Sequence, residues 1–477
     1  MHQNIYFYKL YLGCFLLLFT AGKQAVFSQV PVKGTVVSDY QNLARDIFKE
    51  LVEINTTSGY GTTRAAQAMA ERLETAGFPA RDIQVIGPDA DHKNLVVRYH
   101  GKGNQGLVLF ICHLDVVEAF PRDWSVDPFT FLEKDGYFYG RGTTDIKSEA
   151  ADLITNLIRL RKEGYKPDRD IIVALTADEE GGNANGVDWL LRNHRELIEA
   201  DFCINPDGGG GDLKDGRPVK MAIQTSEKIY VSFELEARNK GGHSSVPSRD
   251  NAIYRLAAGL TRIADYDFPV RLNETTGIIL EKSAVVETGQ VREDLLAILS
   301  DPDDMKAARR LADSSPYYNA MMRTTCVATM VNAGHAENAL PQSARSIVNC
   351  RMLPDDSVEN VLTTLKKVIG DTGISVTCTY ASFLAPLSLL REEVTLSAER
   401  ISESLWPGVK VMPVMLTGAT DGRYLRRAGI PVYGISGMFG DPEDIRAHGK
   451  DERIGVQEFH DGVEFMYRFI RDLTSKK

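Results

Sequence analysis

"RDIIVALTADEE", residues 169–180, decides the fold. An apolar run from Ile171 to Leu175, short and bounded by polar residues, reads as a buried strand. It ends on Asp178, Glu179 and Glu180. Three neighbouring carboxylates repel one another, and desolvating any of them is costly without a cation or hydrogen bonds, so the strand end predicts something positive nearby.

Working outward, "NLVVRYH" (94–100) and "GLVLFICHLD" (106–115) read as further strands, and "DIKSEAADLITNLIRLRKEG" (145–164) reads as the helix joining the last to Ile171. Two helices precede them, "YQNLARDIFKELVEI" (40–54) and "TRAAQAMAERLETAGF" (63–78), the second closed by Gly77. Alternation of strand and helix predicts a three-layer α/β/α domain. From about residue 228 the order becomes strand 229–239, helix 251–264, strand 326–334, strand 344–353, helix 357–370 and strand 374–380, the βαββαβ of a ferredoxin-like unit. Beyond 385 the first pattern resumes with "KVMPVM", "IPVYGIS" and a helix from about Gly455. The expected division is therefore 36–227 and 385–477 for one domain and 228–384 for a unit inserted into it. The stretch 272–323 carries no interpretable motif.

The chain has 477 residues, 43% hydrophobic and 25% charged, which is ordinary for two globular domains. Residues 1–28 place Lys9 before an apolar stretch of about ten residues and then small residues, which reads as a signal peptide and is short for a span of about twenty. Its removal takes Lys9 and Lys23 and no acid, so the formal charge goes from -10 to -12. That balance disfavours nucleic acid as a partner and leaves no stable membrane span. An exported protein, periplasmic or secreted, is expected. Cys112, Cys203, Cys326, Cys350 and Cys378 remain, an odd number without CxxC spacing, and are expected as buried free thiols.

The conspicuous charged groups fall at strand ends. "CHLD" holds His113 and Asp115, which as i and i+2 neighbours can point the same way, so that the Asp orients the imidazole. "YGRGTTDIK" holds Asp145, "TADEE" Glu179 and Glu180, "CINPDGGGG" Asp207 and "RAHGKDE" His448. Singly these are ordinary turn formers and hydrogen-bonded residues. Together, two His and three carboxylates at one sheet edge compose a ligand set for two zinc ions. Glu179 is left over as a general base beside Glu180, and Asp178 as structural.

The order of these motifs resembles the co-catalytic dizinc exopeptidase and deacylase family that includes glutamate carboxypeptidase, aminoacylase, acetylornithine deacetylase and succinyl-diaminopimelate desuccinylase. The resemblance implies that His113, Asp145 and Asp207 bind one zinc and His448, Asp145 and Glu180 the other, with cobalt or manganese as alternative metals. It implies Asp115 supporting His113, Glu179 as base, and His243 of "GGHSSVP" polarising the substrate carbonyl from the lid, in some members across a dimer interface. Asn338 of "HAENALP", Arg351 of "CRMLP" and Gly418 of "LTGATDGRYL" are expected near the substrate. Departures exist: Cys112 precedes His113 where many members have Gly, Ser148 follows Lys147 where Gly is frequent, and Asp207 stands where deacylases generally carry Glu. The last tilts the reading towards a carboxypeptidase or dipeptidase, with an N-acyl-amino-acid amidohydrolase as the alternative and a non-catalytic binding relative third. A small peptide or N-acyl amino acid is the expected substrate and a homodimer the expected assembly.

Overall fold

A computed structural model describes residues 39–103 and 106–475. The signal-peptide reading of residues 1–28 lies outside them. The central sheet has six strands in the order Ile83–Ile86, Asn94–Tyr99, Ile171–Thr176, Val108–His113, Phe202–Ile204 and Val432–Tyr433. The first two pairings are antiparallel and the other three parallel. Along the central strands successive side chains enter different cores. Phe110, Cys112, Val173 and Leu175 pack among Phe48, Ile154 and Phe469 of the helices Asp39–Glu53, Lys147–Lys162 and Val456–Thr474, whereas Leu109, Ile111, Ile172 and Ala174 join Val187, Leu190 and Leu425 on the opposite face. Both faces are covered, which is why the strands read as unbroken apolar runs. Each fully buried large side chain contributes about 1.5–3 kcal/mol.

The strand Lys410–Leu416 lies parallel to Arg217–Glu227 in a separate four-stranded sheet, so the resumed pattern builds a second, smaller sheet with this strand while Val432–Tyr433 widens the first. The inserted unit is the expected ferredoxin-like sandwich. Its antiparallel sheet runs Thr325–Ala333, Ser343–Met352, Ile229–Arg238, Ile374–Ala381, covered by the helices Ala252–Ala264 and Val358–Ile369 around a core of its own. The uninterpreted stretch 272–323 forms four helices, Glu274–Val286, Gly289–Ser300, Met305–Ser314 and Pro316–Met322, with Leu280, Leu295, Ile298 and Leu311 at their centre. Lys228 ties the end of this bundle down, its buried ammonium donating to the carbonyls of Ala320 (2.8 Å) and Arg323 (2.7 Å).

The expectation of free thiols is corrected at one pair. Cys326 and Cys350 are joined by a disulfide, while Cys112 and Cys203 are buried and free as expected and Cys378 is free but only half-buried. The two cysteines are directly opposed on neighbouring antiparallel strands, with Cα atoms 4.1 Å apart. Opposition of this kind is set by strand register, which sequence spacing does not encode. No described helix is long and apolar enough to cross a membrane.

Candidate active site

The carboxyl ends of three parallel strands meet at one edge of the central sheet, and each delivers a ligand-type side chain at or just beyond its last residue. His113 closes its own strand, Glu179 and Glu180 follow Thr176, and Asp207 sits in the turn Pro206–Gly208 after Ile204. Asp145 comes from the loop before the helix Lys147–Lys162, and His448, in left-handed backbone (φ 61°), from the loop before the last helix.

Asp145 is the hub. Its Oδ1 accepts from His113 Nε2 at 3.1 Å and its Oδ2 is 2.9 Å from His448 Nε2, which also donates to Glu180 Oε1 at 2.9 Å. Ligand atoms of His113, Asp145 and Asp207 lie within 4.8 Å of one another, and so do those of Asp145, Glu180 and His448. These are the two sets expected from the sequence. Their chemistry fits two divalent ions: imidazole nitrogen and carboxylate oxygen, three donor residues in each group, one carboxylate shared.

The electrostatics carry the same message. Burial raises the pKa of Glu180 to about 7, with the Asp145 charge adding to it, and burial raises Asp207 to about 7 as well. Burial pushes Glu179 well above the ordinary carboxylate range, and the Asp207 charge pushes further. Burial would raise Asp145 too, yet hydrogen bonds from His113 and His448 hold it well below that range. The hydrogen bond to Asp145 raises His448 to about 9. Acids crowded in low dielectric hold protons unless cations are present, and here the protonated imidazoles stand in for them.

Asp115 reaches His113 differently from the expectation. The ring Nδ1 donates to the backbone carbonyl of Asp115 at 3.0 Å, while the carboxylate lies 3.8 Å away and accepts instead from the backbone N–H groups of Glu179 (3.1 Å) and Glu180 (2.9 Å). One residue thus orients the imidazole through its main chain and pins the acidic turn through its side chain. Asp178, in left-handed backbone, accepts from Ala184 N–H at 2.6 Å and holds the loop that leaves the strand.

Two groups escaped the sequence reading. Glu452 is fully buried and accepts from Arg141 Nη1 (2.6 Å), from the backbone of Gly142, Thr144 and Asp145, and from the Thr144 hydroxyl. Arg141 also donates to the carbonyl of Gly449, so one ion pair fastens both the Asp145 loop and the His448 loop. Asp421, buried behind the acids, accepts from Asn185 (2.6 Å) and Thr176 (3.1 Å). Glu452 lies four residues after His448 and Asp421 three after Gly418, so proximity to the motifs was the available signal.

The lid residues stand apart from this cluster. His243 is exposed, and its Nδ1 accepts from the N–H (3.1 Å) and hydroxyl (2.7 Å) of Ser245. Asn338 is beside it, its carbonyl accepting from Ser244 N–H at 3.0 Å. Arg351 lies over the Tyr230 ring and donates to the carbonyl of Thr417 at 3.0 Å, which brings it to the Gly418 loop. The fold therefore groups the expected substrate residues in two pairs, His243 with Asn338 and Arg351 with Gly418, neither hydrogen-bonded to the ligand cluster.

The family model described as Peptidase family M20/M25/M40 matches residues 109–472. Human N-fatty-acyl-amino acid synthase/hydrolase is 30% identical over 385 residues, 76% of this chain and 73% of that protein. Pig aminoacylase-1 is 25% identical over 442 residues, 90% of this chain and 95% of that one. Among solved structures, an M20 family metallo-carboxypeptidase from Sulfolobus solfataricus superposes with a TM-score of 0.66 at 18% identity, covering 90% of this chain and 99% of its own.

Proposed function

Because this chain belongs to peptidase family M20/M25/M40 and is a metal-dependent hydrolase, we propose that it hydrolyses an amide bond next to a free carboxylate, with Glu179 as general base. The observation that carries this reading is Asp145 shared between two donor triads, with Glu179 next to one of their members. His113, Asp145 and Asp207 would hold one ion and Asp145, Glu180 and His448 the other, with zinc as the assigned metal. Bound there, two divalent ions supply Lewis-acid polarisation of a carbonyl and a water that ionises near neutral pH.

The chain's own groups do the rest. Glu179 takes the proton of the attacking water on its carboxylate and returns it to the amine nitrogen as the C–N bond breaks. Burial suits it to that exchange by raising its affinity for the proton. Asp115 keeps Glu179 in place through its backbone N–H. Residues 228–384 act as a lid; on closure His243 donates to the carbonyl oxygen, and Arg351 with the Gly418 loop takes the free carboxylate, Asn338 lying alongside. On the carbonyl side, Asp207 favours an aminoacyl group, whereas the human relative and aminoacylase-1 favour an acyl group. A second reading, the N-acyl-amino-acid amidohydrolase, rests on those relatives.

The assay is amine release from dipeptides and N-acyl amino acids by the zinc-exchanged protein, with Glu179→Gln in parallel. Cleavage by the wild type, and a folded two-metal variant that has lost it, is the expected pair of results; a two-metal wild type that cleaves neither panel sinks the reading.

Two assignments go with it. The edge strand Thr325–Ala333 exposes Val327, Met330 and Val331, which suits pairing with a second copy; sedimentation of the purified chain as a monomer would remove it. Export rests on residues 1–28 and agrees with the Cys326–Cys350 disulfide, which persists in oxidising compartments. Fractionation that leaves an uncut chain in the cytoplasm would remove that one.

A further inference from the structure

A cavity of about 510 Å³ lies against the ligand-bearing loops. Asp207 is part of its wall, with Thr144 and Ile146 flanking Asp145, and Ala447 preceding His448. It therefore borders both triads, while neither Glu179, nor Gly418, nor any residue of 228–384 lines it. Its size is that of a small-molecule site, in which a few placed polar groups fix the choice of ligand.

Two kinds of surface meet in this wall. Leu213, Ala222, Met438, Phe439 and Ile454 are apolar, and the charged residues are six acids and two arginines, so the acids decide the sign. Both arginines are committed to Asp444, Arg446 Nε at 2.6 Å and Arg453 Nη2 at 2.6 Å. Asp212 is held by Lys220 at 3.0 Å, and Asp441 accepts from the N–H of Glu443 at 2.9 Å within its own turn. Beyond Asp207, two glutamates keep acceptors to spare. Glu149 is 4% exposed; its Oε1 accepts from the Ser436 hydroxyl, and its Oε2 has no partner among the described residues. Glu458, half-buried, makes no hydrogen bond or ion pair among the described residues.

A buried carboxylate oxygen without a donor costs free energy that a cation restores. Burial accordingly pushes the pKa of Glu149 up to about 7, and a cation beside it would bring that value back down. A free carboxylate meets only acids and occupied arginines here. The complement of an apolar wall with unpartnered carboxylates is a hydrocarbon stem that ends in a cation.

We propose that this cavity receives the side chain of the residue supplying the scissile carbonyl, and that Glu149 and Glu458 select a lysyl or arginyl side chain there. The inference rests on the proposed amide hydrolysis and deepens it: the favoured substrates are peptides with a basic penultimate residue followed by a C-terminal residue. The substrate's orientation follows from charge. Its carboxylate is turned away from the acidic cavity towards Arg351, and its basic side chain runs past Asp207 along the apolar wall. With Asp207 engaged as a metal ligand in the proposed site, the two glutamates are the acceptors left for the ammonium or guanidinium.

The experiment compares lysyl-leucine with norleucyl-leucine, whose side chains share a four-carbon stem and differ in the terminal ammonium. kcat/KM of the zinc-loaded wild type is expected to be about 10–100-fold higher for lysyl-leucine, the range of one hydrogen bond to a charged group. Glu458→Gln and Glu149→Gln keep the shape of the side chain and remove its charge. Each is expected to lower the lysyl-to-norleucyl ratio about tenfold, and the half-buried Glu458 decides the matter if the Glu149 variant does not fold. Calorimetry of both dipeptides with the metal-loaded Glu179→Gln protein reads binding apart from turnover. Equal cleavage of the two dipeptides, or a ratio unchanged in the variants, would overturn the cavity assignment while leaving the proposed reaction standing. Tighter binding of lysyl-leucine with no cleavage of either dipeptide by the wild type would refute the reaction and retain the cavity; neither binding nor cleavage refutes both.

Discussion

Asp145, expected to be shared by two ions, and His243, expected to reach the substrate carbonyl, are held by the fold in different ways. Asp145 takes hydrogen bonds from two imidazoles, and its own N–H donates to the buried Glu452, which lies 307 residues away in sequence. The His243 ring is exposed and takes its hydrogen bonds from Ser245, two residues on. Groups that must hold charge are fixed beforehand, because crowded carboxylates are tolerable only where cations and donors are already in place. A group that meets its partner only when substrate arrives needs no such scaffold beforehand.

The comparison predicts that changes in the cluster disturb metal content and stability as well as chemistry, and that changes in the lid leave metal content and stability in place. Glu179→Gln is the largest expected effect, about 10²–10⁴ in kcat from the loss of proton transfer. Its metal content by elemental analysis should stay at two per chain, and loss of the ions would move Glu179 into the ligand set. Glu452→Gln should follow, because Arg141 is left buried without its partner. A destabilisation of about 3–5 kcal/mol is expected from the urea midpoint, with weaker metal retention as the two loops loosen. An unchanged midpoint would show that the loops are held some other way.

On the lid side, Arg351→Lys removes the bidentate fork while keeping the charge. KM is expected to rise about tenfold, in line with one weakened charged hydrogen bond, with kcat and thermal midpoint little changed. A lower midpoint instead would make Arg351 a structural tie to Thr417. The smallest effect is in pH. Without metal, Glu180 and Asp207 have folded-state pKa values of about 7, above their ordinary values, and His448 one of about 9. Through the two acids the folded chain binds more protons than the unfolded one, so stability falls as pH rises from about 4 to 7; above that His448 continues the fall while the buried Lys147 and Lys228, both lowered to about 7, oppose it. The thermal midpoint of stripped protein should drop between pH 5 and 7. That of metal-loaded protein should not, and metal uptake at pH 7 should release protons, read by calorimetry in two buffers. Equal pH profiles with and without metal would break the link between the raised pKa values and the ion site.

Much of this was legible because it is local. Apolar runs and periodicity placed the strands 94–99, 108–113 and 171–176, the helix between the last two, and the βαββαβ order of the lid. The residue types of His113, Asp145, Glu180, Asp207 and His448 marked them as candidate ligands, and the fold brings them into two groups. Other features depended on distant parts of the chain meeting. Register opposed Cys326 to Cys350; the acidic turn took the Asp115 carboxylate away from His113; Glu452 closed on the Asp145 loop; four helices within 272–323 found their own core; and a cavity formed from loops around residues 144, 207 and 440. Residue type and local spacing determine which groups can do the chemistry and in which elements they sit. Which of them meet, and what surrounds them, is decided only by tertiary packing, because hydrogen bonds, register and burial join residues hundreds of positions apart.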